Sequence, residues 1–406
     1  MQAIVRTALT SRERLLCAMR RQEPDHVPLW NLWRNVDVPF RYVTQVERAA
    51  AVLALGLDDT LLLQPPLNKT EHYDVNRVPG VGIRVQREPP DEAVIRCTHW
   101  RTPSGHPLLF KEYDTPAGQI RQVVRETADW PYGEDIRLFS DYNVSRSKEF
   151  PVKGPHDLPR LRYLLRKHSA DQIAEFRQVA AQLRQEAERL QVVLEGGWTA
   201  LGDAALWLLG TERLLLSQMD QPEFVEELLE LVCQWELHRI ELLLEERVEV
   251  IVHSAWYEST DFWTPRNYRR LLKPRLKRMV DLAHQGGAFF SYICTTSWQA
   301  LADDLLDVGI DSLMGVDPVQ GKANLAATKH RLGSRVCLWG GVNGALTLGQ
   351  GTPEEVRRAT EEAIRTLGPG GGFVLYPVDQ LVRQTPWANV EAMIESWQEM
   401  GSYPMK

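Results

Sequence analysis

The chain has 406 residues, with 54 Asp plus Glu against 47 Lys plus Arg, so its formal net charge is -7. Hydrophobic residues make up 44% and charged residues 25%, ordinary globular values that exclude collagen-like, disulfide-scaffold and wholly disordered chains. The acidic balance argues against nucleic acid as the main partner, and no apolar run approaches the roughly 18–20 residues that span a bilayer.

Taken in chain order, short runs rich in Val, Ile, Leu and Phe alternate with longer stretches of helical period. Ser11–Arg21 is a predicted helix with Ser11 as N-cap and Leu15, Leu16 and Met19 on its apolar face. Val27–Trp30 reads as a strand, Gln45–Leu55 as a helix and Asp59–Gln64 as a strand stopped by Pro65-Pro66. From about 67 to 150 the pattern changes. VGIRVQREP, AVIRCTHWRT, LLFKEY and GQIRQVVRE resemble hairpin strands between Pro, Gly and Asp, the mark of a β-rich insertion. Asp171–Leu190 is a long charged helix, Val192–Thr199 a strand, and Glu212–Met219 and Pro222–Glu246 are helices. A regular rhythm follows, with strands at Val248–Ala255, Ala288–Thr295, Ile310–Val316, Val336–Gly341 and Gly371–Tyr376. Helices follow them near Pro265–His284, Trp298–Asp307, Leu325–Leu332, Pro353–Leu367 and Pro386–Met400.

Outside the β-rich segment this gives eight strands, the pattern of an α/β (β/α)8 TIM barrel with an insertion after the second strand. The expected organisation is one domain over 1–406, with 67–150 inserted in it. A doubly wound nucleotide-binding sheet is the alternative, but no GxGxxG follows the first strand. Five cysteines (17, 97, 233, 294 and 337) without a CxxC spacing suggest free thiols in a reducing compartment. The start MQAIVRTALTSRERLL lacks the apolar core of a signal peptide, so a cytoplasmic protein is expected.

Barrel enzymes gather function at the C-terminal ends of their strands. That rule selects Trp30, Asn31, Trp33 and Arg34, then Gln64, then Trp198 and Asp203. It continues with His253, Trp256, Tyr257 and Glu258, then Tyr292 and Cys294, then Asp317, Trp339 and Asn343, and ends at Tyr376 and Asp379. Asp203, Glu258, Asp317 and Asp379 could divide acid and base roles, or each could cap a helix or pair with an Arg. Cys294 could bind metal or attack an electrophile, or be an inert buried thiol. His253, Glu258, Cys294 and Asp379 are zinc-compatible types without motif spacing. Five of the 13 Trp (30, 33, 198, 256 and 339) fall at this mouth, which suits a flat or cationic ligand or simply fills space.

RERLLCAMRRQEPDHVPLW (12–30), PVKGPHDLPRLRYLL (151–165), LLKPRLKRMVDLAHQGG (271–287), LWGGVNG (338–344), GTPEEVRRATEEAI (351–364), GGGFVLYPVDQL and TPWANVEAMIESW resemble the uroporphyrinogen decarboxylase superfamily, in order and over nearly the whole chain. The resemblance implies a (β/α)8 barrel and two candidate chemistries: cofactor-free decarboxylation of uroporphyrinogen, or zinc-dependent methyl transfer involving a corrinoid. The decarboxylase's arginine-rich loop is replaced by WNLWRNVDVPFR, with Arg34 and Arg41. Its Asp, Tyr and His positions fall at Gln64, Asp203 and Asp379. The methyltransferase branch, with zinc on His-x-Cys and a later Cys, is closer in architecture; here those positions read Tyr292-Ile293-Cys294 and Asp379.

The leading expectation is therefore methyl transfer or demethylation of a small molecule, with a corrinoid-carrying partner protein and a zinc site drawn from Cys294, Asp379, His253 and Glu258. Tyr292, Cys294, Asp379 and Glu258 form the expected reacting centre. Arg34, Trp30, Trp33, Gln64, Trp198, Asp203, Trp256, Tyr257, Asn343 and Tyr376 are expected to bind substrate. A cofactor-free decarboxylase and a non-catalytic ligand-binding barrel are the alternatives. The resemblance also implies a homodimer, and the charge balance and the absence of a long apolar run point to no nucleic acid or membrane partner.

Overall fold

In the computed structural model, residues 9–30, 44–64, 82–88, 105–379, 381 and 384–405 are described. They hold eleven strands: β1 (Thr60–Leu63), β2 (Gly82–Glu88), β3 (Leu108–Thr115), β4 (Gly118–Arg125), β5 (Ser147–Glu149), β6 (Val193–Ala200), β7 (Val250–Ser254), β8 (Phe289–Ile293), β9 (Ser312–Val316), β10 (Cys337–Asn343) and β11 (Phe373–Val378). The chain divides into two compact units. One comprises Met1–Pro65, Phe176–Thr199 and Arg239–Lys406; the other comprises Pro66–Glu175 and Ala200–His238.

The first unit carries a curled parallel sheet in the order β1-β6-β7-β8-β9-β10-β11. Strands β7, β9, β10 and β11 are buried at every position. Their near-continuous apolar runs suit a parallel sheet covered on both faces. The expected eighth strand, Val27–Trp30, is shorter than its pattern suggests, because Pro28 has no amide to donate. What remains still joins the two edges of the sheet. Trp30 N donates to Leu375 O at 3.1 Å, Leu375 N to Pro28 O at 2.8 Å and Asp58 N to Leu29 O at 3.0 Å, with parallel bridges Leu29–Leu375 and Trp30–Asp58. This is the arrangement of a TIM-like barrel.

Local signals explain the helices around it. Helix Pro353–Leu367 starts on a capping box, in which Thr352 accepts from Glu355 N and Glu355 reaches back to Thr352 N. The first helix spans Ser11–Met19, and Thr10 rather than Ser11 is its N-cap, because Glu13 lies three residues beyond it and completes the same box. The expected helix from Pro265 is broken by a π-turn at Tyr268–Leu272 before Lys273–Gln285. Pro274 has no amide hydrogen for the regular ladder, and the wider turn takes up that defect. Among the described residues no helix is long and apolar enough to cross a membrane.

The second unit holds an antiparallel sheet in the order β2-β3-β4-β5. The stretch AVIRCTHWRT lies outside the described residues. Leu109, Val124 and Ile136 form a small core there. The fully buried Lys111 is satisfied by Asp135 Oδ1 at 2.8 Å and Ile136 O at 2.7 Å.

Candidate active site

Strand ends β7 and β8 bring His253, Glu258, Tyr292 and Cys294 into one fully buried cluster. His253 stands on β7 and Tyr292 on β8, in register as direct partners. Their rings stack with centroids 5.7 Å apart at 18°. A turn in which Glu258 N donates to Ala255 O folds Glu258 back over them. Glu258 Oε1 lies 3.1 Å from His253 Nε2, and its Oε2 accepts the Tyr292 hydroxyl at 3.1 Å. The other ring nitrogen, His253 Nδ1, lies 2.9 Å from Thr199 Oγ1 on β6. With Glu258 ionised, both its oxygens accept, His253 carries its proton on Nε2, and Thr199 donates to Nδ1. The result is a closed chain from β6 through β7 to β8. A buried carboxylate needs such donors to be tolerated.

A member that the sequence pattern did not single out joins this chain. Tyr268, on the π-turn, is fully buried, and its hydroxyl is hydrogen-bonded with that of Tyr292 and lies within electrostatic reach of Glu258 and Cys294. Both phenols are pushed well above their ordinary value, by burial first, then by Glu258 for Tyr268 and by Tyr268 for Tyr292. They therefore stay protonated and act as donors. The signal available in the sequence was Pro274 inside a predicted helix.

Asp379 is placed differently. It follows β11 at the open mouth, is exposed, and has a left-handed backbone with φ 61°. Yet desolvation, and then the charge of Asp317, lift its carboxyl to about 6. Asp317 itself is a brace: it accepts from Val319 N at 2.8 Å, Gly321 N at 3.2 Å and Asn343 Nδ2 at 2.8 Å. Asn343 reaches it because the β9–β10 register shifts at Trp339/Gly340. A Cβ at Gly340 would sit 2.4 Å from Val316 O, so only glycine permits that approach. Asn343 also caps the following turn, its Oδ1 accepting from Leu346 N at 2.6 Å.

The expected aromatic wall divides. Trp30, Trp339 and Tyr376 are buried in the barrel interior, where Trp30 meets Trp339 edge-on at 5.0 Å and Tyr376 at 5.5 Å. They fill the barrel, as inward layers do. Trp198 and Trp256 are half-buried and lie 5.3 Å apart, and Tyr257 packs its ring on Phe262. Gln64 is half-buried just after β1. Asp203 is fully buried in the first turn of helix Gly202–Leu209, in the second unit. Asn31, Trp33, Arg34 and Arg41 lie outside the described residues.

The donor set does not fit a zinc ion. His253 engages both ring nitrogens within the protein, Glu258 engages both oxygens, and the Cys294 thiol leans on Thr296 O at 3.5 Å. Among the described residues no three His, Cys, Asp or Glu side chains converge as a metal cage. Protein purified without chelator is accordingly expected to carry zinc well below one per chain by elemental analysis. Stoichiometric zinc that disappears in Cys294→Ser would contradict the wiring described here.

A family model described as uroporphyrinogen decarboxylase (URO-D) matches residues 140–400. A solved methyltransferase from Methanosarcina mazei is 17% identical with TM-score 0.56, covering 96% of this chain and 99% of that one. A 3-keto-D-glucoside 4-epimerase from E. coli is 15% identical with TM-score 0.34, over 54% of this chain and 84% of that one. A D-psicose 3-epimerase from Clostridium cellulolyticum is 13% identical with TM-score 0.35, over 60% and 85%. No curated protein matches the chain.

Proposed function

The chain belongs to the uroporphyrinogen decarboxylase family, and from that premise we propose that it transfers or removes a methyl group on a small molecule at the C-terminal mouth of its barrel. The observation that carries this reading is Asp379, a solvent-accessible carboxyl held at about 6 where barrel enzymes place their chemistry. A methyl group bound to a neutral ether oxygen or amine nitrogen is transferred readily only when that heteroatom is protonated. In the proposed step the bond between methyl carbon and heteroatom breaks. The heteroatom keeps the electron pair and takes the proton of Asp379, while the acceptor's electron pair forms the new bond to carbon. Asp379 is left as a carboxylate and recovers its proton from solvent.

A corrinoid carried by a partner protein would be the methyl acceptor. No step is assigned to zinc, because His253 and Glu258 spend their donor atoms on each other and on Thr199 and Tyr292. The end-to-end likeness to the Methanosarcina mazei methyltransferase supports methyl transfer over decarboxylation. So does a mouth in which Asp317 and Asp379 already repel one another, a poor host for a polycarboxylate. The organisation as one barrel with an inserted β-rich segment, and a homodimer, belong to the same proposal.

The test is direct. The protein is mixed with a panel of O-methyl and N-methyl small molecules and reduced free cobalamin, and the absorbance change on cobalamin methylation is followed. Methylation with at least one class is expected. No methylation across the panel, together with CO2 release from a porphyrinogen, would favour the decarboxylase instead.

A further inference from the structure

Helix Thr211–Asp220 lies within the second unit and buries Leu214, Ser217 and Gln218 on one face. Its outer face is apolar as well. Leu215, Leu216 and Met219 are 38%, 52% and 79% exposed. Leu215 and Met219 are four residues apart and so are neighbours on the helix surface, with Leu216 beside them. The other large apolar side chains exposed among the described residues, such as Val85, Val179 and Val319, stand singly, which is normal for a protein surface. Three together on one short helix are not, and a contiguous apolar stripe of this kind marks a face that meets another protein.

A groove of about 440 Å³ runs along the same helix, bordered among others by Phe150, Gly210, Arg213, Leu216 and Asp220. Gly210, at φ 76°, lets the Phe150 ring lie against the start of the helix, because a Cβ there would meet that ring at 2.4 Å. The groove leaves two opposite charges open at its ends. Arg213 donates from Nη1 to the Lys153 carbonyl, and among the described residues neither Arg213 nor Asp220 forms an ion pair. The two are seven residues apart, two turns or about 10 Å along the axis, and therefore on the same side of the helix.

This pattern is complementary to itself, in one direction only. A parallel copy would set Arg213 against Arg213 and Asp220 against Asp220. An antiparallel copy sets Arg213 against Asp220 of the partner subunit, and does so twice about a two-fold axis. The midpoint of Arg213 and Asp220 falls between Leu216 and Ser217, and that of Leu215 and Met219 falls at Ser217. One axis thus serves the ionic and the apolar pairings together.

We propose that helix Thr211–Asp220 docks antiparallel on the same helix of a second copy of this chain, with Leu215, Leu216 and Met219 buried at the centre and Arg213–Asp220 ion pairs at both ends. The proposal rests on the homodimer reading above and assigns its surface. It does not depend on the reaction at the barrel mouth. One helix pair is smaller than the roughly 800 Å² per partner of a standard interface, so the dimer is expected to dissociate on dilution.

Sedimentation of the full chain over a range of concentrations reads dimerisation, and circular dichroism checks that each variant is folded. Met219→Lys puts a charge into the apolar centre and should weaken the dimer at least about tenfold. Arg213→Asp and Asp220→Arg each turn both ion pairs into like-charge contacts, and each alone should also weaken it at least about tenfold. Mixed in equal amounts, these two single variants should dimerise with each other at nearly wild-type affinity, because every contact across the axis again joins opposite charges. A folding defect cannot produce that recovery. Loss of dimer in both single variants without recovery on mixing would overturn the antiparallel pairing. A dimer that all three variants leave intact would overturn this surface and keep the homodimer, whereas a chain that stays monomeric at every concentration would overturn both.

Discussion

Asp379→Asn is expected to lower kcat/KM by about a hundredfold to ten-thousandfold, the usual worth of a positioned general acid. Asparagine is the clean substitution here. Residue 379 has φ 61°, and Asn, like Asp, tolerates that left-handed region, so the backbone is spared the strain that Ala would add. The pH dependence is equally specific. The carboxyl is raised to about 6, so it is mostly protonated below that pH and loses its proton above it. In the wild type kcat/KM should therefore fall about tenfold per pH unit on the alkaline side of about 6. In Asp379→Asn this limb should vanish, leaving a low, flat profile. Asp317→Asn should move the limb to lower pH, since the Asp317 charge is the second cause of the shift after desolvation. The linkage to folding has the matching sign. The folded chain holds the Asp379 proton up to about 6 and the unfolded chain releases it near its ordinary 3.8, so this group lowers stability as pH rises through that window. Measuring kcat/KM from pH 5 to pH 8 in the three proteins checks the assignment. An alkaline limb that survives in Asp379→Asn would assign the proton to another group.

Much of this fold is legible from local chemistry. Helices Leu325–Leu332 and Pro353–Leu367 match their expected bounds, because Asn324 and Thr352 are explicit caps and Pro353 fits a first turn. The parallel strands announce themselves as buried apolar runs. What is not legible depends on register and direction. Thr199, His253 and Tyr292 form one chain only because β6, β7 and β8 lie side by side. A strand pattern does not say whether a residue at its end turns inward, and so Trp30, Trp339 and Tyr376 fill the barrel rather than line an open pocket. Tyr268 was hidden in a regular helical period that Pro274 interrupts. Of the four expected reacting residues, Tyr292, Cys294 and Glu258 come together, whereas Asp379 stands at the exposed mouth. Strand ends point to these residue types but not to which of them solvent can reach.

A second large effect is expected where the first helix meets the segment that joins the sheet edges. Arg14→Met is expected to destabilise the fold by about 3–5 kcal/mol, the range for breaking a buried charge network by removing one partner. Arg14 is buried in the first helix and joins three segments of the chain. Its Nε donates to Asp25 Oδ1 at 2.7 Å, its Nη1 to Asp58 Oδ1 at 2.6 Å and its Nη2 to Leu9 O at 2.7 Å. Asp58 pairs with the segment that joins the sheet edges, accepting from Leu29 N at 3.3 Å. Burial pushes the Asp58 carboxyl up to about 6 even against the pull of Arg14. Burial also acts on Asp25, but there the Arg14 and Leu9 hydrogen bonds win and hold it at about 2. The wild-type Asp25 contribution is thus present above its unfolded value of 3.8 and is lost as pH falls toward about 2. Without Arg14, Asp58 loses its counter-charge and its folded pKa rises further above 3.8, while Asp25 loses its main stabilising donor. Both carboxyls are then better tolerated when protonated, so the deficit in Arg14→Met should be larger at pH 8 than at pH 5. Urea unfolding of both proteins at the two pH values measures this. A deficit below about 1 kcal/mol, or one that does not change with pH, would reduce the triad to the worth of a surface pair.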